Sequence, residues 1–326
     1  MIERNYTLLK KVLDGYNRLA RSPKRPTRSD YSSQILSEIA GNELIGENIC
    51  ENKSFFVGRI GSAELNAIVN FLEINQFKNS NYLLNSIQLI RGMRSHWTLD
   101  TAHMISVNAG VFPADNETLT DFASHYLECI RDLDILGVWF NYAENIIHKE
   151  YCPTASLVPL KSLEPYYFNK PWSVHLKGKK VLIIHPFEKS LKLQLNILSK
   201  LFADNNVLPK ADYTTLKAVQ SLGYSTVQFN DWFEALESMQ NEVVKRDFDI
   251  AIIGAGAYGL PLGAFIKGLG KQAIHLGGAT QILFGVKGHR WDKHKQISKL
   301  YNEQWIYPLP EERPQGAELV ENACYW

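Results

Sequence analysis

The chain has 326 residues, 45% hydrophobic and 21% charged, with a formal net charge of +1. That length suits one large α/β domain or two modest ones, each with a real core. The near-neutral balance excludes a chain-wide basic field for nucleic acid, and no run of about 18 apolar residues is present to span a bilayer.

Residues 1–28 are basic: Lys10, Lys11, Arg18, Arg21, Lys24, Arg25 and Arg28 face only Glu3 and Asp14. Ile2, Tyr6, Leu9, Leu13, Tyr16 and Ala20 recur near a helical stripe, so this stretch reads as a basic N-terminal helical extension. Such a helix either packs on the main domain or lies on an anionic membrane surface. No apolar h-region marks a signal peptide, so the expectation is a cytoplasmic protein, with peripheral contact on the inner face of the membrane as the alternative. Four scattered cysteines, Cys50, Cys129, Cys152 and Cys324, have no C-x-x-C spacing and read as ordinary thiols of a reducing compartment.

From residue 54 the chain alternates short apolar runs with helical periodicity. Residues 54–61 read as a buried strand and turn, and 63–71 as a helix. Residues 116–131 form an amphipathic helix and 134–140 a second strand. Pro153, Pro159, Pro165 and Pro171 punctuate a polar excursion. A strand over 179–185 is followed by helices over 188–202 and 231–245. Then come a strand over 248–253, a helix over 258–269 and a last strand over 272–276. The pattern predicts an α/β, Rossmann-like fold: a mainly parallel sheet with helices on both faces. The domain reading is an extension over 1–28 and one α/β domain over 29–326, with a candidate subdivision at 150–175. In such sheets ligands bind beyond the carboxyl ends of the strands, so the residues after each strand carry the functional information.

Three strand ends are polar. The first runs Arg59-Ile60-Gly61-Ser62-Ala63-Glu64. An arginine offers a fork to phosphate, and one glutamate can hold Mg²⁺ or Mn²⁺ when substrate phosphates complete the shell. The plainer reading is a helix start with Glu64 on its dipole. The second is His185-Pro186-Phe187-Glu188, where His185 and Glu188 are candidate bases; the alternative is a cap in which His185 is satisfied by backbone. The third, Gly254-Ala255-Gly256-Ala257-Tyr258-Gly259, matches G-x-G-x-x-G between a strand and a helix. It can cradle a pyrophosphate or simply let helix and sheet approach. His275 and Gly277 at the last strand end, with Lys287 and Arg290 beyond, could add cations to a diphosphate site. Asp134 and Asp249 precede their strands and so belong to the edge away from a ligand. A nicotinamide or flavin oxidoreductase would also use the glycine turn, but the next strand ends without the acid that binds a ribose.

Arg59-x-Gly61-x-x-Glu64 resembles the R-x-G-D-G-E segment of bacterial GT-D type glycosyltransferases. Residues 249–256 and Gly270-Lys271-Gln272-Ala273-Ile274-His275-Leu276-Gly277 resemble that family's closing strand–helix–strand, with its G-x-Q-A-I-D-I-G-H pattern. The resemblance implies a glycosyltransferase moving a sugar from a nucleotide-sugar donor to a glycan or lipid-linked glycan, in surface polysaccharide or glycoconjugate synthesis, with no nucleic-acid partner. It implies catalytic Glu64 and a donor site around Arg59, Gly61, Ser62, Gly254, Gly256, Gly259, His275 and Gly277. A divalent metal, Mn²⁺ or Mg²⁺, is implied through Glu64. Ser62 stands where the family has an aspartate, and His275 and Gly278 replace its closing Asp and His. A metal is therefore held by Glu64 alone or dispensed with. A relative that binds nucleotide sugars without catalysis is a further alternative.

Overall fold

A computed structural model describes residues 25–78, 94–225 and 227–326. Most of the basic N-terminal segment, residues 1–24, lies outside them. Helices and strands are numbered below in chain order among the described residues.

Seven strands form one all-parallel sheet: β1 (Phe55–Gly58), β2 (Ile135–Val138), β3 (Ser156–Pro159), β4 (Lys180–His185), β5 (Asp212–Lys217), β6 (Ile250–Ile253) and β7 (Gln272–His275). Their spatial order is β3-β2-β1-β7-β6-β4-β5. The register sets Val57 beside both Ile135 and Ile274, Ile253 beside both Ile184 and His275, and His185 beside Lys217. All strand ends therefore reach one edge together.

Strand residues alternate between two cores, as a period of two requires. Phe56, Leu182, Ile184, Ala251, Ile253 and Ala273 face one apolar cluster; Phe55, Val57, Val181, Ile183, Ile252 and Ile274 face the other. On the first face pack α2 (Ser62–Lys78), α3 (Leu99–Ala109), α4 (Asn116–Ile130), α7 (Trp232–Val244) and α8 (Gly259–Gly268). On the second lie α1 (Glu38–Cys50), α6 (Glu188–Leu195), 3₁₀ turns such as Trp172–Leu176, and the C-terminal segment with Trp305 and Trp326. A short α5 (Glu144–Tyr151) follows β2, and α9 (Ala279–Leu283) and α10 (His289–Asp292) follow β7. The α/β class, the parallel sheet and the helices on both faces are as the alternating pattern predicts.

Local chemistry sets the helix ends. Thr98, Asp115 and Asp231 cap α3, α4 and α7, each side chain accepting a backbone N–H three residues on. The edge opposite the ligand side is tied by the two aspartates discounted from sequence. Asp134 accepts Phe56 N at 2.8 Å and Lys267 Nζ at 2.8 Å, and Asp249 accepts Lys180 N at 2.8 Å. Gln272 donates to the carbonyls of Asn48, Ile49 and Lys53, holding the end of α1 against β7. The four cysteines are free. No described helix is long and apolar enough to cross a membrane.

Candidate functional site

The chain leaves β4 towards β5 and leaves β6 towards β7 on the other side, so adjacent strands diverge at their carboxyl ends. This is the switch point at which open parallel sheets bind ligands. A cleft opens there, with an empty volume of about 780 Å³ including open solvent. Its walls come from nearly every strand end: Arg59 to Glu64 after β1, Trp139 after β2, His185 to Phe187 after β4, Gln220 after β5, Gly254 and Gly256 after β6, and Gly277 and Gly278 after β7. Gln281, Arg290, Glu321, Tyr325 and Trp326 close it from the C-terminal side.

Arg59 lines the cleft and makes no ion pair among the described residues. Its guanidinium lies over the Trp139 ring, 4.4 Å from the centroid. On the other side it presses on Gly277, where a Cβ would meet Nη2 at 2.5 Å and Nε at 2.7 Å. Only a glycine, here at φ +61°, leaves room for that sandwich. The buried Nε has no hydrogen-bond partner, and no ion pair involves Arg59 among the described residues. A largely desolvated guanidinium with no protein counter-ion is costly unless an anion meets its exposed face.

Trp139 is itself anchored. Its backbone N–H donates to Glu144 Oε2 at 2.9 Å, and the same oxygen accepts the Tyr31 hydroxyl at 2.7 Å. Glu144 is fully buried, and burial raises its pKa despite these donors. Asn141 Nδ2 reaches Ile60 O at 3.4 Å, so the loops after β1 and β2 are stitched together beneath the cleft.

Glu64 sits in the first turn of α2, 8% exposed, its carboxyl folded over Gly61. Burial raises its pKa, opposed by a bond to its own backbone and by the Arg59 charge. Ser62 is exposed at the cleft wall. Among the described residues no group of three or more His, Cys, Asp or Glu side chains could hold a metal. A lone buried carboxyl, tied to its own backbone and facing a guanidinium, does not make a protein-held site for a divalent cation.

Arg290 also faces the cleft, but it is occupied. Its guanidinium pairs with Glu321, donates to Tyr325 Oη at 2.9 Å and lies over the Tyr325 ring. Glu321 belongs to a run of three non-glycine residues in the left-handed region, with Asn322 and Ala323.

Four residues singled out from sequence lie outside the cleft. His275 takes the strand alternation that points under α8. It is 2% exposed, bonded to the Ile253 backbone, and packed so closely on Gly259 that a Cβ there would meet its Cε1 at 2.2 Å. Gly259 therefore serves helix–sheet packing. Lys287 is drawn away over the rings of Tyr301 and Tyr307. Glu188, the first residue of α6, accepts from Thr215 at 3.0 Å and pairs with Lys192 at 2.9 Å. Arg59, Gly61, Ser62, Glu64, His185, Gly254, Gly256, Gly277 and Arg290 do line it.

Gly259→Ala is expected to lower the melting temperature, because overpacking a tight contact costs about 1–3 kcal/mol, while ligand affinity of the folded protein stays unchanged. Differential scanning calorimetry with titration calorimetry checks this; lost affinity at unchanged stability would contradict the packing role.

Sequence inspection missed Trp139, Tyr325 and Trp326. The strand-end rule points to Trp139, one residue after β2. Nothing local points to the C-terminal aromatics, which reach the cleft only through tertiary packing.

No family model and no curated protein matches the chain. Two solved structures are similar in outline. One is described with the words "the highly conserved domain of unknown function 1792 has a distinct glycosyltransferase fold"; its TM-score is 0.43 at 12% identity, covering 85% of this chain and 92% of that one. The other is a selenomethionine-substituted structure of the same domain, with a TM-score of 0.43 at 13% identity and the same coverage.

Proposed function

We propose that this protein is a glycosyltransferase that takes a nucleotide-sugar donor into the switch-point cleft and passes the sugar to a glycan or lipid-linked glycan acceptor. The observation that carries the reading is Arg59: a guanidinium that lines the cleft at the mouth of α2, pinned between Trp139 and Gly277, with no ion pair and no hydrogen bond among the described residues. A diphosphate is the ligand that satisfies it, since a guanidinium fork matches phosphate oxygens and the free N–H groups of α2 favour an anion. The motif resemblance around Arg59 and Glu64 supports the same class.

Departure of a nucleoside diphosphate builds negative charge on the leaving oxygens. Arg59 stabilises that charge, and Arg290 adds to it when the anion competes with Glu321 for its guanidinium. Transfer proceeds without a protein-held metal, because the donor set around Glu64 does not suit one. Glu64 is the carboxyl placed to receive the acceptor's proton; Glu188, bound to Thr215 and Lys192, is not. An oxidoreductase reading is disfavoured by the same geometry, since β7 ends in a core-facing histidine where a ribose-binding acid belongs. Contact of the basic residues 1–28 with an anionic membrane would put the protein on the surface that carries lipid-linked acceptors.

The test is hydrolysis of a panel of UDP-, GDP- and CDP-sugars, with Mn²⁺ and with EDTA, following release of the nucleoside diphosphate. One donor is expected to turn over, and to keep turning over in EDTA. Tight binding without turnover would make the protein a nucleotide-sugar binder, and absence of both would overturn the proposal.

A further inference from the structure

We infer that His185 is a fixed hydrogen-bond donor to the ligand's diphosphate, presenting Nε2–H to the cleft, and is not the base of the reaction. The inference rests on the reading of the cleft as a diphosphate site. His185 is the last residue of β4, at the point where β4 and β6 diverge, and it lines the cleft while only 3% exposed.

Its tautomer is set by the backbone. Phe187 N–H donates to His185 Nδ1 at 3.0 Å, so Nδ1 is an acceptor and the ring proton resides on Nε2. The orientation is set by packing. The Phe187 ring meets the imidazole edge at 4.8 Å and 63°, and Cδ2 lies against the bare Gly254 backbone, 2.6 Å from where a Cβ would stand. Nε2 makes no hydrogen bond to any described residue, yet it is not among the sealed buried atoms that lack a partner. It therefore opens on the cleft.

A base needs a free lone pair facing the acceptor. The one lone pair of this imidazole is taken by Phe187 N–H, and burial holds the pKa near 3, so the ring stays neutral. What the cleft receives is a single neutral donor, rigid on three sides, next to the Gly254 turn and across from Arg59. An anionic oxygen is the acceptor that gains most from such a donor.

Two substitutions separate this role from a structural one. Asparagine carries an oxygen near the Nδ1 position and nothing at Nε2; glutamine carries an amide nitrogen near Nε2 and gives up the Phe187 contact. His185→Asn is expected to keep the melting temperature and to weaken inorganic pyrophosphate binding by about 10- to 100-fold, the range of one hydrogen bond to a charged group. His185→Gln is expected to melt earlier yet bind within about threefold of the wild type, as a retained donor predicts. Titration calorimetry on the full chain, beside thermal melts, reads both. If His185→Asn binds as the wild type does, or both variants lose affinity equally, the donor role is overturned while the cleft reading stands. If the wild type binds neither pyrophosphate nor any nucleoside diphosphate, both are overturned.

Discussion

Between about pH 4.3 and pH 3, the protein is expected to lose stability at about 2.7 kcal/mol per pH unit, the slope of two protons taken up on unfolding. The protons are those of His185 and His275. Both rings are buried, and desolvation lowers each pKa to about 3, against about 6.5 for a histidine in the unfolded chain. A lowered histidine contributes stability that is fully present above its unfolded pKa and is lost as pH falls towards its folded pKa. Glu64, Glu144 and Glu164 act in the opposite sense. Burial raises each, so above about pH 4.3 the folded state retains protons that the unfolded state releases. Falling pH restores that contribution and offsets the histidines until the unfolded carboxyls are protonated too. Below that point the histidines are no longer offset, and the lowered carboxyls of Glu242, Asp247 and Glu311 act in the same sense as they do. Over that window the loss is about 3.5 kcal/mol, a large share of the about 5–15 kcal/mol of a typical domain. Urea titrations at a series of pH values measure the slope. His275→Gln, outside the cleft, is expected to make it shallower by one proton. A slope of less than one proton in the wild type would contradict the buried neutral pair.

The inner strands were legible because both of their faces are covered. In β1, β4, β6 and β7 every residue but Lys180 is buried, and the boundaries expected from their apolar runs lie within two or three residues of the observed ones. The edge strands were not. Asp212–Lys217 is half polar, with only Thr215 and Leu216 buried, and Ser156–Pro159 is hidden in a proline-rich stretch that reads as a loop. Helix α1 escaped notice because it packs closely through Gly41 and Gly46 rather than through an apolar stripe. Helix α3 ends in a left-handed Gly110.

At the site, the strand-end rule located Arg59, His185, Gly254 and Gly277 because it depends only on where a strand stops. It went astray where side-chain direction decides. His275 is at a strand end, but alternation turns it into the core. Gly259 fits a phosphate fingerprint, yet the contact it permits is with that same histidine. The Arg290–Glu321 pair joins residues far apart in the chain, and no spacing reveals it.

The central claim is that Arg59 receives the donor's diphosphate, and Arg59→Ala tests it most directly. The side chain makes no ion pair and no hydrogen bond among the described residues, so its removal takes away a ligand contact while breaking only its stacking on Trp139 and its packing on Gly277. A bidentate, charge-assisted contact on a partly buried anion contributes about 3 kcal/mol, or about 100-fold in affinity. Arg59→Lys is expected to recover little, since an ammonium offers neither the planar fork nor the flat face that rests on Trp139. The measurement is titration calorimetry of the nucleoside diphosphate released from the preferred donor, against the wild type and both variants, with melting temperatures taken beside it. Binding that falls about 100-fold in Arg59→Ala at a melting temperature close to that of the wild type is the result predicted; binding equal to that of the wild type would contradict the account.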